Sequence, residues 1–213
     1  MEFQEFLKYI PKITKENLPG EEAHQKMMPA ERIEIFKHLD MATLTPRKAA
    51  VMMLFYPKDN QAHLILIVRN SYKGIHSSQI GFPGGKVEPT DSSLEHTALR
   101  ETFEEVGVQG DKIKIVKAFT ELYIPPSNFM VYPFLGFSLQ ELTFIPDKRE
   151  VFGLIELPLS ILLDDENLVS KTLSTSYMEE VSVPAFKFEE NYIWGATSQM
   201  LNELKEVIKR VVK

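Results

Sequence analysis

Cysteine is absent from the 213 residues. That excludes disulfides and thiolate metal sites, and it fits a reducing compartment such as the cytoplasm. No stretch approaches the ~18 consecutive apolar residues of a membrane span. The opening MEFQEFLKYI carries two glutamates and lacks the basic start and apolar run of a secretion signal. Basic charge is scarce too: 24 Lys and Arg against 30 Asp and Glu leave a formal net charge of −6. Phosphate backbones and anionic membranes recruit basic faces, so neither a nucleic acid nor a membrane is the expected partner. A small phosphate compound stays open, because metal ions can neutralise an acidic site.

What remains is the composition of a globular chain, 44% hydrophobic and 25% charged, with enough apolar mass for one real core. Residues 2–17 and 30–39 show helical apolar spacing, with Phe3, Phe6, Leu7 and Ile10 in one stripe and Ile33, Ile35, Phe36 and Leu39 in another. Pro11, Pro19, Gly20 and Pro29 punctuate them. Residues 1–45 read as a helical extension, and 46–213 as the main domain. The extension is placed either to cap a site or to form a homodimer contact.

The main domain opens with two strands, Ala49–Tyr56 and His63–Arg69, joined at Pro57-Lys58-Asp59-Asn60. Their nearly continuous hydrophobicity predicts burial on both faces. A loop over 70–79 leads into Ile80–Lys86, and a helix is predicted over 92–106. Strands follow at Ile113–Leu122, Phe129–Phe137 and Val151–Ile155, then a helix at 158–164, strands near 168–174 and 182–188, and an amphipathic helix over 196–212. Strands interleaved with a few helices predict an α/β sandwich, a mixed sheet with helices on its faces.

The chemistry is concentrated between Gly84 and Val108. Ser92 and Glu95 form a capping box at the helix start, and Asp91 adds favourable charge there. Gly107 is placed to end the helix in the left-handed conformation. Glu101, Glu104 and Glu105 stand at i, i+3 and i+4, within roughly 100° of one helix face. Leu99, Phe103 and Val106 are expected to hold the opposite face to the core. Clustered carboxylates repel, and a hard divalent cation such as Mg²⁺ or Mn²⁺ converts that repulsion into binding. Alone, such a triplet is more often a solvated acidic face. The Gly84-Gly85 turn ahead of the helix changes the balance, because glycine lets backbone approach a phosphate or a metal closely.

Loop and helix together resemble the Nudix box, G-x5-E-x7-R-E-U-x-E-E-x-G-U, where U is a bulky aliphatic residue. Arg100-Glu101-Thr102-Phe103-Glu104-Glu105-Val106-Gly107-Val108 matches its second half, with Thr102 replacing one aliphatic position. In the first half Asp91 stands six residues after Gly85 where the pattern has Glu, and eight residues instead of seven precede Arg100. The resemblance implies a Nudix-type α/β/α sandwich and metal-dependent cleavage of a nucleoside diphosphate derivative. It implies that Glu101 and Glu105 bind the metal, and that Glu104 assists directly, through water or through Arg100.

A second stretch is similar to coenzyme A pyrophosphatases, a branch of that family. It runs from Ile65-Leu66-Ile67-Val68-Arg69 through His76-Ser77-Ser78-Gln79 to Phe82-Pro83-Gly84-Gly85-Lys86, and again over Tyr123–Gly136. Asn70, Gly74 and Ser78 depart from that branch's pattern, and Lys73 lies beside Gly74. This resemblance implies hydrolysis of coenzyme A to 3′,5′-ADP and 4′-phosphopantetheine. Arg69, His76, Gln79, Gly84, Gly85 and Lys86 are then the candidate substrate-binding residues. Glu104 and Glu150 are candidates to accept a proton from the attacking water, and sequence does not choose between them. Another nucleoside diphosphate substrate, such as ADP-ribose or a dinucleotide, and a non-catalytic binding module of the same fold are the competing readings. Trp194, Tyr192 and the Met27-Met28 pair read as packing residues.

Overall fold

The computed structural model of the chain describes residues 1–40, 43–70, 79–173 and 181–212. The fold is built on β1 (Arg47–Lys58), whose side chains alternate between two cores. Ala49, Met53 and Phe55 enter one; Ala50, Met52, Leu54 and Tyr56 enter the other. That explains the unbroken apolar run of β1: a strand covered on both faces has no polar side.

β2 (Gln61–Arg69) returns antiparallel to β1 through Asp59 and Asn60, both at positive φ. β3 (Ile80–Gly81) pairs the far end of β2, and β4 (Gly84–Lys86) pairs the start of β1. After α4 (Leu94–Val106) come β5 (Lys114–Ala118), β6 (Leu122–Ile124) and β7 (Phe129–Phe137). β7 runs parallel to β1, and β5 and β6 pair antiparallel with β7. β8 (Val151–Pro158) closes the other edge against β2. The main sheet among the described residues is therefore mixed and eight-stranded. β9 (Leu168–Leu173), β10 (Val181–Phe188) and β11 (Asn191–Trp194) form a second, antiparallel sheet.

Helices lie on both faces of the main sheet. α4 (Leu94–Val106) covers one face through Ala98 and Val106. The other face takes α1 (Phe3–Lys15), α5 (Leu159–Leu163) and α6 (Gly195–Val212). α1 buries Phe3, Phe6 and Ile13, and the Phe6 ring lies 4.6 Å from that of Phe55. The expected α/β sandwich is the observed fold. α2 (Glu21–Gln25) and α3 (Ala30–Lys37) complete the N-terminal helices, and Met27 and Met28 are buried as expected.

Several expectations need correction. The strand placed over Ile113–Leu122 is two strands, β5 and β6, interrupted at Phe119–Glu121. α2 and β11 were not anticipated. The helix cap is Ser93, not Ser92: the Ser93 hydroxyl accepts from the His96 N–H at 3.1 Å. The helix therefore begins at Leu94. Phe103, expected in the core, is 46% exposed, and Thr102 is buried in its place.

Candidate active site

The buried side of α4 consists of Thr97, Ala98, Thr102, Glu105 and Val106. Thr102 satisfies its hydroxyl by donating to the Ala98 carbonyl at 2.6 Å. The three glutamates consequently straddle the boundary between core and solvent. Glu104 is on the outside with 54% of its side chain exposed, Glu101 lies at the edge with 13%, and Glu105 is inside with 1%.

The glycine turn meets this helix directly. Gly84 donates its N–H to Glu105 Oε2 at 2.8 Å. A Cβ on Gly85 would lie 2.5 Å from the Glu101 carboxyl carbon, so only glycine leaves room there. A Cβ on Gly84 would run into the backbone of Ala50 and Val51. Gly85 pairs Ala50, which faces α4, whereas Lys86 pairs Ala49, which faces the opposite core. Strand alternation thus sends the exposed Lys86 side chain to the other face, while its carbonyl accepts from Arg100 Nη2 at 3.0 Å.

Arg100 ties the turn to the helix. Its Nε and Nη2 form a two-pronged contact with Asp91, both at 2.9 Å, and its Nη1 donates to Glu101 at 2.9 Å and to Glu104 at 3.0 Å. The Asp91 side chain is fully buried and also accepts from the Thr97 hydroxyl and the Glu88 N–H. The hydrogen bonds from Arg100 hold its carboxyl well below the usual range. Sequence reading gave Asp91 only a helix-start charge. Its place ahead of the helix concealed that it anchors Arg100.

Arg69 ends β2 and brings its guanidinium to 3.4 Å from Glu105 Oε1. This is ion-pair distance without hydrogen-bond geometry, so Oε1 is a buried oxygen with no hydrogen-bond partner. Burial pushes Glu105 up to about 7, partly opposed by Arg69 and the Gly84 N–H, while Glu101 and Glu150 push it further. Burial raises Glu101 as well, against the pull of Arg100, and the charges on Glu104 and Glu150 add to the rise. Glu150 is exposed, yet its charge reaches both inner glutamates. Gln79 is near the same end, accepting from the Arg69 N–H at 3.0 Å through its carbonyl. His76, Gly74, Lys73 and Ser78 lie outside the described residues.

The donor set here is hard carboxylate oxygen, which suits Mg²⁺ or Mn²⁺. Glu105 Oε1 is unsatisfied, and the inner pair repel one another. Both features fit a divalent cation. Among the described residues no three acidic or imidazole groups already converge as a complete cage. A cation here would therefore take part of its shell from water and substrate oxygens, as Mg²⁺ commonly does.

Comparison with known proteins gives the family and the fold. Residues 46–173 match the model of the NUDIX domain. The chain is 32% identical over 152 residues to a protein of Yersinia enterocolitica described as an uncharacterized Nudix hydrolase, NudL, covering 68% of this chain and 73% of that one. A NudL of Yersinia pestis is 29% identical over 174 residues, covering 82% and 86%. Among solved structures, the fold is similar to the Nudix hydrolase RenU of M. smegmatis, with a TM-score of 0.53 and 14% identity over 78% of this chain and 87% of that one. It is also similar to a MutT/nudix family protein of Enterococcus faecalis, with a TM-score of 0.52 and 19% identity over 89% and 71%. The chain belongs to the NUDIX domain family and is a hydrolase of the pyrophosphatase type.

Proposed function

We propose that the chain hydrolyses the pyrophosphate bond of coenzyme A or its derivatives, giving 3′,5′-ADP and 4′-phosphopantetheine. The observation that carries this reading is the approach of Arg69 to Glu105 at 3.4 Å. Arg69 belongs to the stretch similar to coenzyme A pyrophosphatases, and Glu105 belongs to the Nudix box. The fold brings the two signatures to one point.

A diphosphate carries dense negative charge, and a bound Mg²⁺ or Mn²⁺ would neutralise it and make a bound water more acidic. Glu101 and Glu105 would hold the ion, with Glu104 as the outer member of the set. The remaining work falls to the chain itself. Gly84 fixes one oxygen of Glu105 and leaves the other free to bind. Gly85 keeps the approach to Glu101 open, and Arg100 holds Glu101 in place. Arg69 retains 27% exposure of its side chain and can offer N–H groups to a phosphate oxygen. His76 and Gln79 complete the proposed substrate contacts; Lys86, whose side chain leaves by the opposite face, is dropped from that set. Glu150 is the better candidate to accept the proton of the attacking water. Glu104 is held by Arg100 at 3.0 Å and points outward, whereas the charge of Glu150 bears on both inner glutamates.

The test is product analysis with coenzyme A, an acyl derivative, ADP-ribose and a dinucleotide, each with Mg²⁺ or Mn²⁺. Release of 3′,5′-ADP at the highest kcat/KM is expected from coenzyme A. A clear preference for ADP-ribose or the dinucleotide sinks the coenzyme A reading. Glu101→Gln and Glu105→Gln should each lose about a hundredfold or more in kcat, since a metal-held charge pattern is expected to be worth several kcal/mol. Full activity in either removes that residue as a ligand. Glu150→Gln is expected to cost more than Glu104→Gln.

A further inference from the structure

The segment before β8 is exposed, and Arg149 beside Glu150 has 87% of its side chain in solvent. Its backbone is nevertheless pinned in two places. On one side, Ile145 and Asp147 donate to the carbonyls of Val106 and Glu105 at 2.9 and 3.1 Å, which caps the end of α4. On the other side stands Asn70, the residue after β2. Its backbone N–H donates to the Glu150 carbonyl at 2.8 Å, and its side-chain Nδ2 donates to the Lys148 carbonyl at 2.7 Å.

The sheet cannot supply this second hold unaided. β2 and β8 shift register at Phe152, where Val68 faces Gly153 but Arg69 faces Val151, and the bond from the Asn70 N–H to the Glu150 carbonyl is the last of the shifted pairing. Phe152 is the extra residue, and it is 79% exposed. A bulge of this kind bends the strand and weakens the ladder locally. The Asn70 side-chain amide carries the hold beyond that last pair, to Lys148. In the same stretch Arg69 is fixed by the Gln79 carbonyl, so the clamp is mounted on a strand end that is itself held.

We propose that Asn70 is a positioning residue for hydrolysis: its side-chain amide, bonded to the Lys148 carbonyl, sets the loop from which Glu150 reaches the Glu101 and Glu105 pair. The proposal rests on Glu150 as the proton acceptor in the reading above. It does not depend on which diphosphate is cleaved. One exposed hydrogen bond contributes little to the fold. A base displaced by an ångström loses far more in rate.

The experiment is a double-mutant cycle between Asn70→Ala and Glu150→Gln, in Mg²⁺, on whichever of coenzyme A, ADP-ribose and a dinucleotide turns over fastest. Asn70→Ala is expected to lower kcat about tenfold with KM within about twofold, and to add no further loss in the Glu150→Gln background. Asn70→Leu, which keeps bulk and lacks the donor, repeats the cycle if the alanine variant melts early. Three results each overturn the proposal: an equal loss in both backgrounds, a loss confined to KM, or wild-type kcat in the folded Asn70 variants. Wild-type activity in Glu150→Gln overturns it as well, and leaves the coenzyme A reading intact if 3′,5′-ADP is still the main product. Cleavage of ADP-ribose alone sinks that reading instead and leaves the cycle interpretable.

Discussion

Glu105 has 1% of its side chain exposed, one oxygen bonded to a backbone N–H and the other without a hydrogen-bond partner. An ionised group in that position is expensive for a fold. The residues around it show the same subordination of stability to the site. Gly85→Ala should place a methyl against the Glu101 carboxylate, with 2.5 Å between the new carbon and its Oε1. We expect at least a tenfold loss of turnover with little change in melting temperature, because Glu101 can swing outward. Unchanged kcat/KM would show that the close approach is dispensable. Asp91→Ala should behave in the opposite manner. It strips Arg100 of its two-pronged partner and leaves the Glu88 N–H without its acceptor, while the Thr97 hydroxyl keeps only the Ser93 carbonyl. A loss of about 3 kcal/mol in urea denaturation is expected from breaking a buried charged pair. A loss below ~1 kcal/mol would mean that water replaces the carboxylate. The glutamates were legible in the sequence because their spacing is. Their ranking from outside to inside was not, because helical spacing fixes angles between side chains and not the direction in which the sheet lies. Thr102, polar on paper, is buried by satisfying its own hydroxyl within the helix, and Phe103 takes the exposed position.

At the scale of elements, the long strands were the easiest to read. β1, β2 and β7 are apolar runs with turn residues at their ends, and the predicted Phe129–Phe137 is the observed β7. α6 and α4 follow from periodicity. The elements that escaped, α2 and β11, have five and four residues, too few to show a period. α2 owes its place to a distant partner. Glu203 on α6 is buried and accepts from the Gly20 N–H at 3.0 Å, His24 Nε2 at 3.3 Å, and both the N–H and hydroxyl of Thr120. No local pattern around residue 20 announces a carboxylate 183 positions away. Glu203→Ala should therefore uncouple α2, α6 and the link between β5 and β6, at a cost of about 3 kcal/mol near neutral pH. Burial pushes the Glu203 carboxyl up, but the hydrogen bonds from His24 and Thr120 outweigh it and hold the pKa below its ordinary 4.5. Such a group stabilises the fold above the unfolded value and stops doing so as pH falls through the folded one. The gap between wild type and Glu203→Ala, followed by urea titration, should therefore be constant above pH ~5 and narrow below about 4.5. A gap that widens in acid would refute the assignment.

The whole molecule joins these scales. A mixed sheet with β1 buried on both faces gathers the start of β1, the end of β2 and the start of β8 around one end of α4. That gathering is what brings Arg69, Gly84, Gly85, Glu101, Glu105 and Glu150 together from four separate stretches of chain. It also concentrates negative charge in a protein already at −6. A cation that relieves this repulsion binds the folded state and not the unfolded chain, so it should raise stability by mass action, by ~2.7 kcal/mol at a hundred times its Kd. For a chain of this length that corresponds to roughly 5–10 °C in melting temperature. Mn²⁺ added to chelator-treated protein should give such a shift without any substrate. Glu105→Gln should abolish it. The same substitution should raise the melting temperature of the metal-free protein, because the amide can keep accepting from Gly84 while the buried charge is gone and Arg69 turns to solvent. If instead the Glu105→Gln protein melts lower than wild type without metal and still responds to Mn²⁺, Glu105 is a structural partner of Arg69, and the cation sits elsewhere.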